Sequence, residues 1–455
     1  MHALTALLLF SAACLSLHSI AVLIDFVNSL RSLKYLQRHA WRLKSLKHLS
    51  AMDEACLPPI TLLIPLQQAD LGAEFIRRFI ALKYPKIEYL VIHESDNDRE
   101  FVDLQAHLGL HPVPRFPVAE LYTKDIKGVY QSEDLPQLWV IDKEIGGLGD
   151  CLNAGLNFCQ TPLVAIASSR VNLHENALLQ AARPFLEQSN TWSVTGRIRP
   201  AQKGQARQLP SFRWGQIETL IVQRQELLDS VLDQYSFCFT SLSEDFNLFK
   251  RTVLVEAGGF SKSHPDVMAE IANRLYRLAH MQNDSMQLVY TPDTLGWYRA
   301  AETVTQVKQA LLKSQQHARH LNQAGRFLPG RFRYMWRRLF LPLIHLLTLL
   351  AGLPLIFFTP ELIWVWAASI LSPAVTWQWV LLLGERTDFR YSKEDLHLLQ
   401  NEAWLLPFMT LPRLSYWQLK AWFQQSKPVV SIAKPSKTQQ SEDLSRSVIK
   451  SFVEP

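Results

Sequence analysis

Apolar and polar positions along this chain fall into distinct regimes. Positions 4–23 carry no Asp, Glu, Lys or Arg, and His18 is the one strongly polar side chain among them. A helix needs about 20 apolar residues to cross a bilayer, so the pattern predicts an N-terminal membrane helix. Arg31, Lys34, Arg38, Arg42, Lys44 and Lys47 follow, with no acid between them. Bases beside a span stay in the cytoplasm, and they come after the apolar run rather than before it. An uncleaved anchor with a cytoplasmic domain behind it is expected. Two further apolar runs, 339–358 and 362–383, have arginines at their outer ends (Arg331, Arg333, Arg337 and Arg338; Arg386 and Arg390). They predict a membrane hairpin turning near Thr359-Pro360-Glu361. Positions 403–423 are apolar but interrupted by Pro407, Pro412, Arg413 and Lys420, which suits a helix lying in the interface.

Between 57 and 328 the pattern changes to short apolar runs alternating with helical stretches. Strands are expected at 60–65, 87–93, 138–141 and 163–167, buried on both faces, with helices at 73–82 and 152–159. Such alternation predicts an α/β, Rossmann-like domain with a mostly parallel sheet and helices on both faces. Ligands of such sheets bind at the carboxyl ends of the strands. The loops at Gln67, Glu94 to Asp98 and Ser168 to Arg170 therefore form the candidate site floor. The expected division is an anchor (1–28), a basic linker (29–56), the α/β domain (57–328), a membrane hairpin (329–384), an interfacial or third C-terminal helix (385–430) and a disordered tail (431–455).

Composition sharpens this picture. Of 455 residues, 48% are hydrophobic and only 19% charged, against about 25% in soluble domains. That balance excludes a disordered chain or a coiled coil. The net charge of +6 is explained by bases flanking the membrane segments, so no nucleic-acid partner is expected. Three apolar segments are too few for a repeat-built transporter. The five cysteines (14, 56, 151, 159 and 238) match no common zinc or redox spacing and read as reduced, mostly buried thiols.

Several ordered motifs resemble a known family. Pro58-Pro59-Ile60-Thr61-Leu62-Leu63-Ile64-Pro65-Leu66, then Leu82-Lys83-Tyr84-Pro85-Lys86-Ile87-Glu88-Tyr89, resembles the start of a family 2-type glycosyltransferase. The Pro-Leu pair and the Ser95-Asp96-Asn97-Asp98 loop lean towards its ceramide glucosyltransferase-like branch. Gly146-Gly147-Leu148-Gly149-Asp150-Cys151-Leu152-Asn153-Ala154-Gly155-Leu156 is similar to the family's glycine stretch. Positions 246–254 with Glu256-Ala257-Gly258-Gly259-Phe260 resemble the segment before its catalytic acid. The resemblance implies a GT-A fold, a nucleotide-sugar donor (UDP-linked) and a lipid or growing-glycan acceptor at the cell (inner) membrane.

The same resemblance exposes departures. The metal-binding Asp-x-Asp falls on Ser168-Ser169-Arg170, so no Mg²⁺ or Mn²⁺ cofactor is expected there, and Arg170 would pair directly with phosphate in its place. The catalytic acids fall on Val267-Met268, leaving Asp266 and Glu270 as candidate bases, with a helix N-cap as the alternative for Asp266. Gln316, Arg319 and His320 stand where the family has Gln-x-x-Arg-Trp, and the phosphate lysine is Leu148. Glu94, Asp96 and Asp98 are candidates for the uridine or ribose, or else form a solvated turn. Two functions follow: a metal-independent membrane glycosyltransferase, or a catalytically silent homologue that partners a polysaccharide or glycolipid synthase.

Overall fold

The computed structural model describes residues 2–45, 56–66, 79, 81–94, 98–202, 208–231, 242–264, 266–282, 286–323, 335–384 and 391–423. The expected helix at 73–82 falls largely outside these residues, as do Asp96 and the tail. In chain order the first half contains α1 (His2–Ser45), β1 (Ile60–Leu66), β2 (Ile87–Glu94), α2 (Asp98–Leu108), β3 (Leu110–Pro112), β4 (Ile126–Ser132) and β5 (Leu138–Lys143). Next come α3 (Leu148–Phe158), β6 (Leu163–Ala167), β7 (Val171–Leu173), α4 (Ala177–Glu187), β8 (Thr191–Ala201) and α5 (Arg213–Arg224). The domain closes with β9 (Phe246–Lys250), α6 (Arg251–Glu256), α7 (Val267–Gln282), β10 (Gln287–Arg299) and α8 (Val304–Gln323).

These strands form one sheet in the order β3-β4-β5-β2-β1-β6-β9-β8-β10-β7. Its centre, β5-β2-β1-β6, is parallel throughout, and β8 and β10 are parallel to each other. Antiparallel pairings bring in β9 between β6 and β8, β7 at one edge, and β4 with β3 at the other. This is the α/β fold that the apolar runs predicted. Alternate residues of β1 feed two cores, Ile60, Leu62 and Ile64 into one and Leu63 into the other. The second core receives Leu152 and Leu156 of α3, Leu254 of α6, and Ile271 and Leu275 of α7.

Strand β8 went unread in the sequence because it carries Arg197 and Arg199, yet all its residues are buried. Arg197 Nε donates to Glu226 Oε2 at 2.9 Å, and the Arg199 guanidinium lies 4.3 Å from the centre of the Tyr391 ring. Buried cations are tolerated where they are paired, a condition that only the folded neighbours supply.

Among the described residues, two helical stretches are long and apolar enough to cross a membrane, Thr5–His39 within α1 and Ile363–Leu382. The second lies in α10 (Ile363–Gly384), which follows α9 (Leu341–Phe358) after a short 3-10 turn at Pro360–Leu362. Helix α1 continues without a break through the basic segment to Ser45. There Leu36 packs with Leu227, Leu228 and Tyr290, and His39 Nε2 lies 3.0 Å from Asp293 Oδ2 on β10. Asp25 of α1 pairs with Arg224 at the end of α5. Helix α1 is thus fixed directly to the α/β domain. Helices α11 (Lys393–Met409) and α12 (Leu411–Phe423) follow. At 13 residues α12 is about 20 Å long, short of the roughly 30 Å hydrocarbon layer. Its Leu414 and Trp417 pack on Val307 and Leu311 of α8.

The hairpin has a close contact at Gly352. A Cβ there would lie 2.2 Å from the Trp366 ring, and Trp366 Nε1 donates to the Thr348 carbonyl at 2.9 Å. Gly352→Ala is expected to force α9 and α10 apart, costing about 1–3 kcal/mol as overpacked sites do. The measurement is the melting temperature of the detergent-solubilised chain. An unchanged value would show that the helices do not pack this closely.

Candidate functional site at the strand ends

Parallel pairing of β2 with β5 sets His93 beside Asp142 and Glu94 beside Lys143. Both pairs interact. His93 Nδ1 lies 2.9 Å from Asp142 Oδ1, and Lys143 Nζ reaches Glu94 Oε1 at 2.7 Å and Asp150 Oδ2 at 2.6 Å. Glu94 Oε1 also accepts the Gly146 amide at 3.2 Å. Burial opposes the charge of Lys143, but its bonds to Asp150 and Glu94 outweigh burial and hold its pKa above the usual lysine value. Glu94 is therefore committed to an internal ion pair. The side chain of Asp98, at the start of α2, lies outside the described residues.

The glycine stretch has a structural task. Gly147 sits at φ 85° just before α3. From α3, Asn153 Nδ2 donates to the Phe260 carbonyl at 2.9 Å, and the Phe260 amide donates to Asn153 Oδ1 at 2.6 Å. The two motifs 146–156 and 256–260 thus clasp one another. A Cβ on Gly149 would lie 2.0 Å from the Ser261 carbonyl oxygen, so the contact excludes side chains. Cys151 is sealed beneath the Lys143 cluster, where burial, with the nearby carboxylates, pushes its thiol well above the ordinary range.

At the end of β6 the chain turns through Ser168, Ser169 and Arg170. The Ser168 amide donates to the Asp245 carbonyl at 2.9 Å, and Arg170 Nε donates to Asp245 Oδ1 at 2.5 Å. The Arg170 guanidinium also lies 5.3 Å from the centre of the Tyr298 ring. The Asp245 carboxylate raises the pKa of Arg170 further. Tyr298 in turn donates to Glu218 Oε1 at 3.0 Å, and burial raises the pKa of Glu218. A divalent ion does not fit here. Two hydroxyls and a cation are poor ligands for Mg²⁺ or Mn²⁺, and the Asp245 carboxylate beside them pairs with Arg170.

The remaining sequence candidates lie on α7 and α8. Asp266 Oδ1 accepts the Ala269 amide at 2.9 Å, an N-cap for α7, while its Oδ2 lies 2.5 Å from His317 Nδ1. Glu270 pairs with Arg274 at 2.6 Å, and Arg274 donates to the Ala257 carbonyl at 2.7 Å. Val267 and Met268 are buried in the core, with Asn247 Nδ2 lying 3.7 Å from the Met268 sulfur. Gln316 and Arg319 are half-buried on α8, and the side chain of His320 lies outside the described residues. The structure therefore joins Asp266 to the 316–320 segment, through a residue the sequence reading passed over. It ties Glu270 to a helix arginine instead. His317, Glu244, Asp245, Lys143 and Asp150 were not singled out as site residues. The one available signal was the acidic pair Glu244-Asp245 immediately before an apolar run.

No protein-family description matches the chain, and no curated protein does either. Among solved structures, the mannosyltransferase PcManGT from Pyrobaculum calidifontis, in complex with GDP-Man and Mn²⁺, aligns with a TM-score of 0.51 at 15% identity. The match covers 91% of this chain and 97% of that one. TarS from S. aureus in complex with UDP-GlcNAc aligns with a TM-score of 0.35 at 12% identity, covering 79% of this chain and 92% of that one. The chain has a glycosyltransferase fold of the GT-A type.

Proposed function

We propose that this chain is a membrane-anchored, catalytically silent member of the glycosyltransferase fold. In this reading it acts as a binding or regulatory partner of a polysaccharide or glycolipid synthase, with its main domain on the cytoplasmic side of the cell (inner) membrane. Membrane lipid surrounds α1 and the α9–α10 hairpin, and a nucleotide sugar is the ligand class of the sheet. The motif order favours the ceramide glucosyltransferase-like branch as its origin.

The Arg170–Asp245 pair carries the proposal. Sugar transfer from a nucleoside diphosphate needs a cation free to offset the leaving phosphates. Here, among the described residues, the arginine at this strand end is paired with Asp245. A general base must also be within reach of the acceptor hydroxyl, yet Glu270 is paired with Arg274, and Asp266 caps a helix and meets His317. The paired cation and the paired carboxylates together favour recognition without transfer.

The full chain in detergent, incubated with labelled UDP- and GDP-sugars with and without Mg²⁺, is expected to give neither transfer nor donor hydrolysis above buffer. Donor turnover that disappears in Arg170→Ala would overturn the proposal and make Arg170 the phosphate cation of an active enzyme.

A further inference from the structure

We propose that Glu244, Asp266 and His317 form a binding site for a divalent transition metal of the zinc class, separate from the strand end at Ser168 to Arg170. One ligand atom from each of the three residues lies within 4.8 Å of the others. They come from three separate segments: the loop before β9, the N-terminus of α7 and the middle of α8. Glu244 adjoins Asp245, so one short loop sends one carboxylate to Arg170 and the next to this cluster.

The chemistry of the donor set selects the ion. An imidazole with two carboxylates suits Zn²⁺, and oxygen-only ions such as Mg²⁺ or Ca²⁺ less so. Bonds of about 2.0–2.2 Å in a tetrahedron put neighbouring ligand atoms roughly 3.4 Å apart. The 2.5 Å contact between His317 and Asp266 must open by about 1 Å, and Glu244 must draw in. Both are side-chain movements. The first oxygen of Asp266 is held by the Ala269 amide, which aims the second at the site.

Charge points the same way. Among the described residues, Lys313 pairs with Glu244 beside this cluster of two carboxylates and an imidazole. Asp266 and His317 are 10% and 12% exposed and Glu244 29%. The site is thus enclosed on the α7–α8 side and open to water for a fourth ligand. A bound ion would displace Lys313 and tie α7, α8 and the β9 loop together. It does not depend on whether sugar is transferred.

Elemental analysis of the purified full chain, stripped with chelator, dialysed against a slight excess of Zn²⁺ and then against metal-free buffer, is expected to show about one zinc per chain. Co²⁺ in its place should give the visible absorption of a tetrahedral site. Glu244→Gln, at the most exposed ligand, should weaken binding by more than the roughly 10- to 100-fold that loss of an outer-shell partner costs. His317→Ala should abolish it. Lys313→Met removes the competing cation and should tighten binding, whereas a purely structural ion pair would only be weakened. Absence of stoichiometric metal, or equal binding by the chain and by Glu244→Gln and His317→Ala, would overturn the proposal. The second outcome would place the zinc elsewhere, on the exposed thiol of Cys56 for example.

Discussion

Lys143→Met is expected to destabilise the α/β domain by about 3–5 kcal/mol, the range for removing one partner from a buried charge pair. Lys143 is fully buried, Asp150 is fully buried and Glu94 is 11% exposed. Methionine fills the lysine volume but leaves two carboxylates near each other with little water. Lys262, 3.4 Å from Asp150, offsets only part of this. Since the pKa of Lys143 is held above its usual value, its contribution is fully present below that value and fades only at strongly alkaline pH. The Lys143 charge behind this loss is therefore the same at pH 6 and pH 8. Adding Glu94→Gln should recover part of it, giving a coupling energy in the double-mutant cycle. Thermal unfolding of the solubilised chain measures both effects. A Lys143→Met chain as stable as the parent would mean that the cluster is hydrated rather than buried.

Asn153→Ala should cost about 2–6 kcal/mol. The substitution leaves the Phe260 amide and carbonyl without partners in a buried place, and each orphaned group costs about 1–3 kcal/mol. Asn153 and Phe260 are 3% and 2% exposed, so water cannot replace the lost bonds. Gly259, at φ 70°, lets the chain approach the amide, since a Cβ there would lie 2.5 Å from Asn153 Oδ1. Asn153→Asp should not rescue stability, because its carboxylate would accept from the Phe260 amide but repel the Phe260 carbonyl. The loop at 257–264 should become sensitive to protease in both variants. Full stability in Asn153→Asp would show that only the amide contact matters.

Much of the architecture was legible because it rests on local pattern. The runs at 60–65, 87–93, 138–141 and 163–167 are apolar enough to be read as buried strands, and β1, β2, β5 and β6 contain them. Strands β8 and β10 were hidden by polar residues such as Arg197 and Asp293, whose burial depends on Glu226 and His39 from distant segments. Helix α1 reads as an anchor over 4–23, yet nothing local says that it runs on to Ser45. Its basic half is held by contacts with Tyr290 and Asp293, more than 200 residues away.

The sequence by itself determined which side chains are present: Ser168, Arg170, Val267 and Met268 stand where the resemblance expects carboxylates, and no folding can supply an absent side chain. It also determined the apolar lengths that a membrane requires. Only the tertiary structure decided what the remaining charges do. Glu94, Arg170, Asp266 and Glu270 read as free site groups along the chain. In the fold each meets a partner: Lys143 at 2.7 Å, Asp245 at 2.5 Å, His317 at 2.5 Å and Arg274 at 2.6 Å. The first three partners lie 49, 75 and 51 positions away in sequence. Charge placed near low-dielectric protein is strongly disfavoured unless paired. Which pairs form depends on strand register and helix docking, and no sequence spacing encodes those distances.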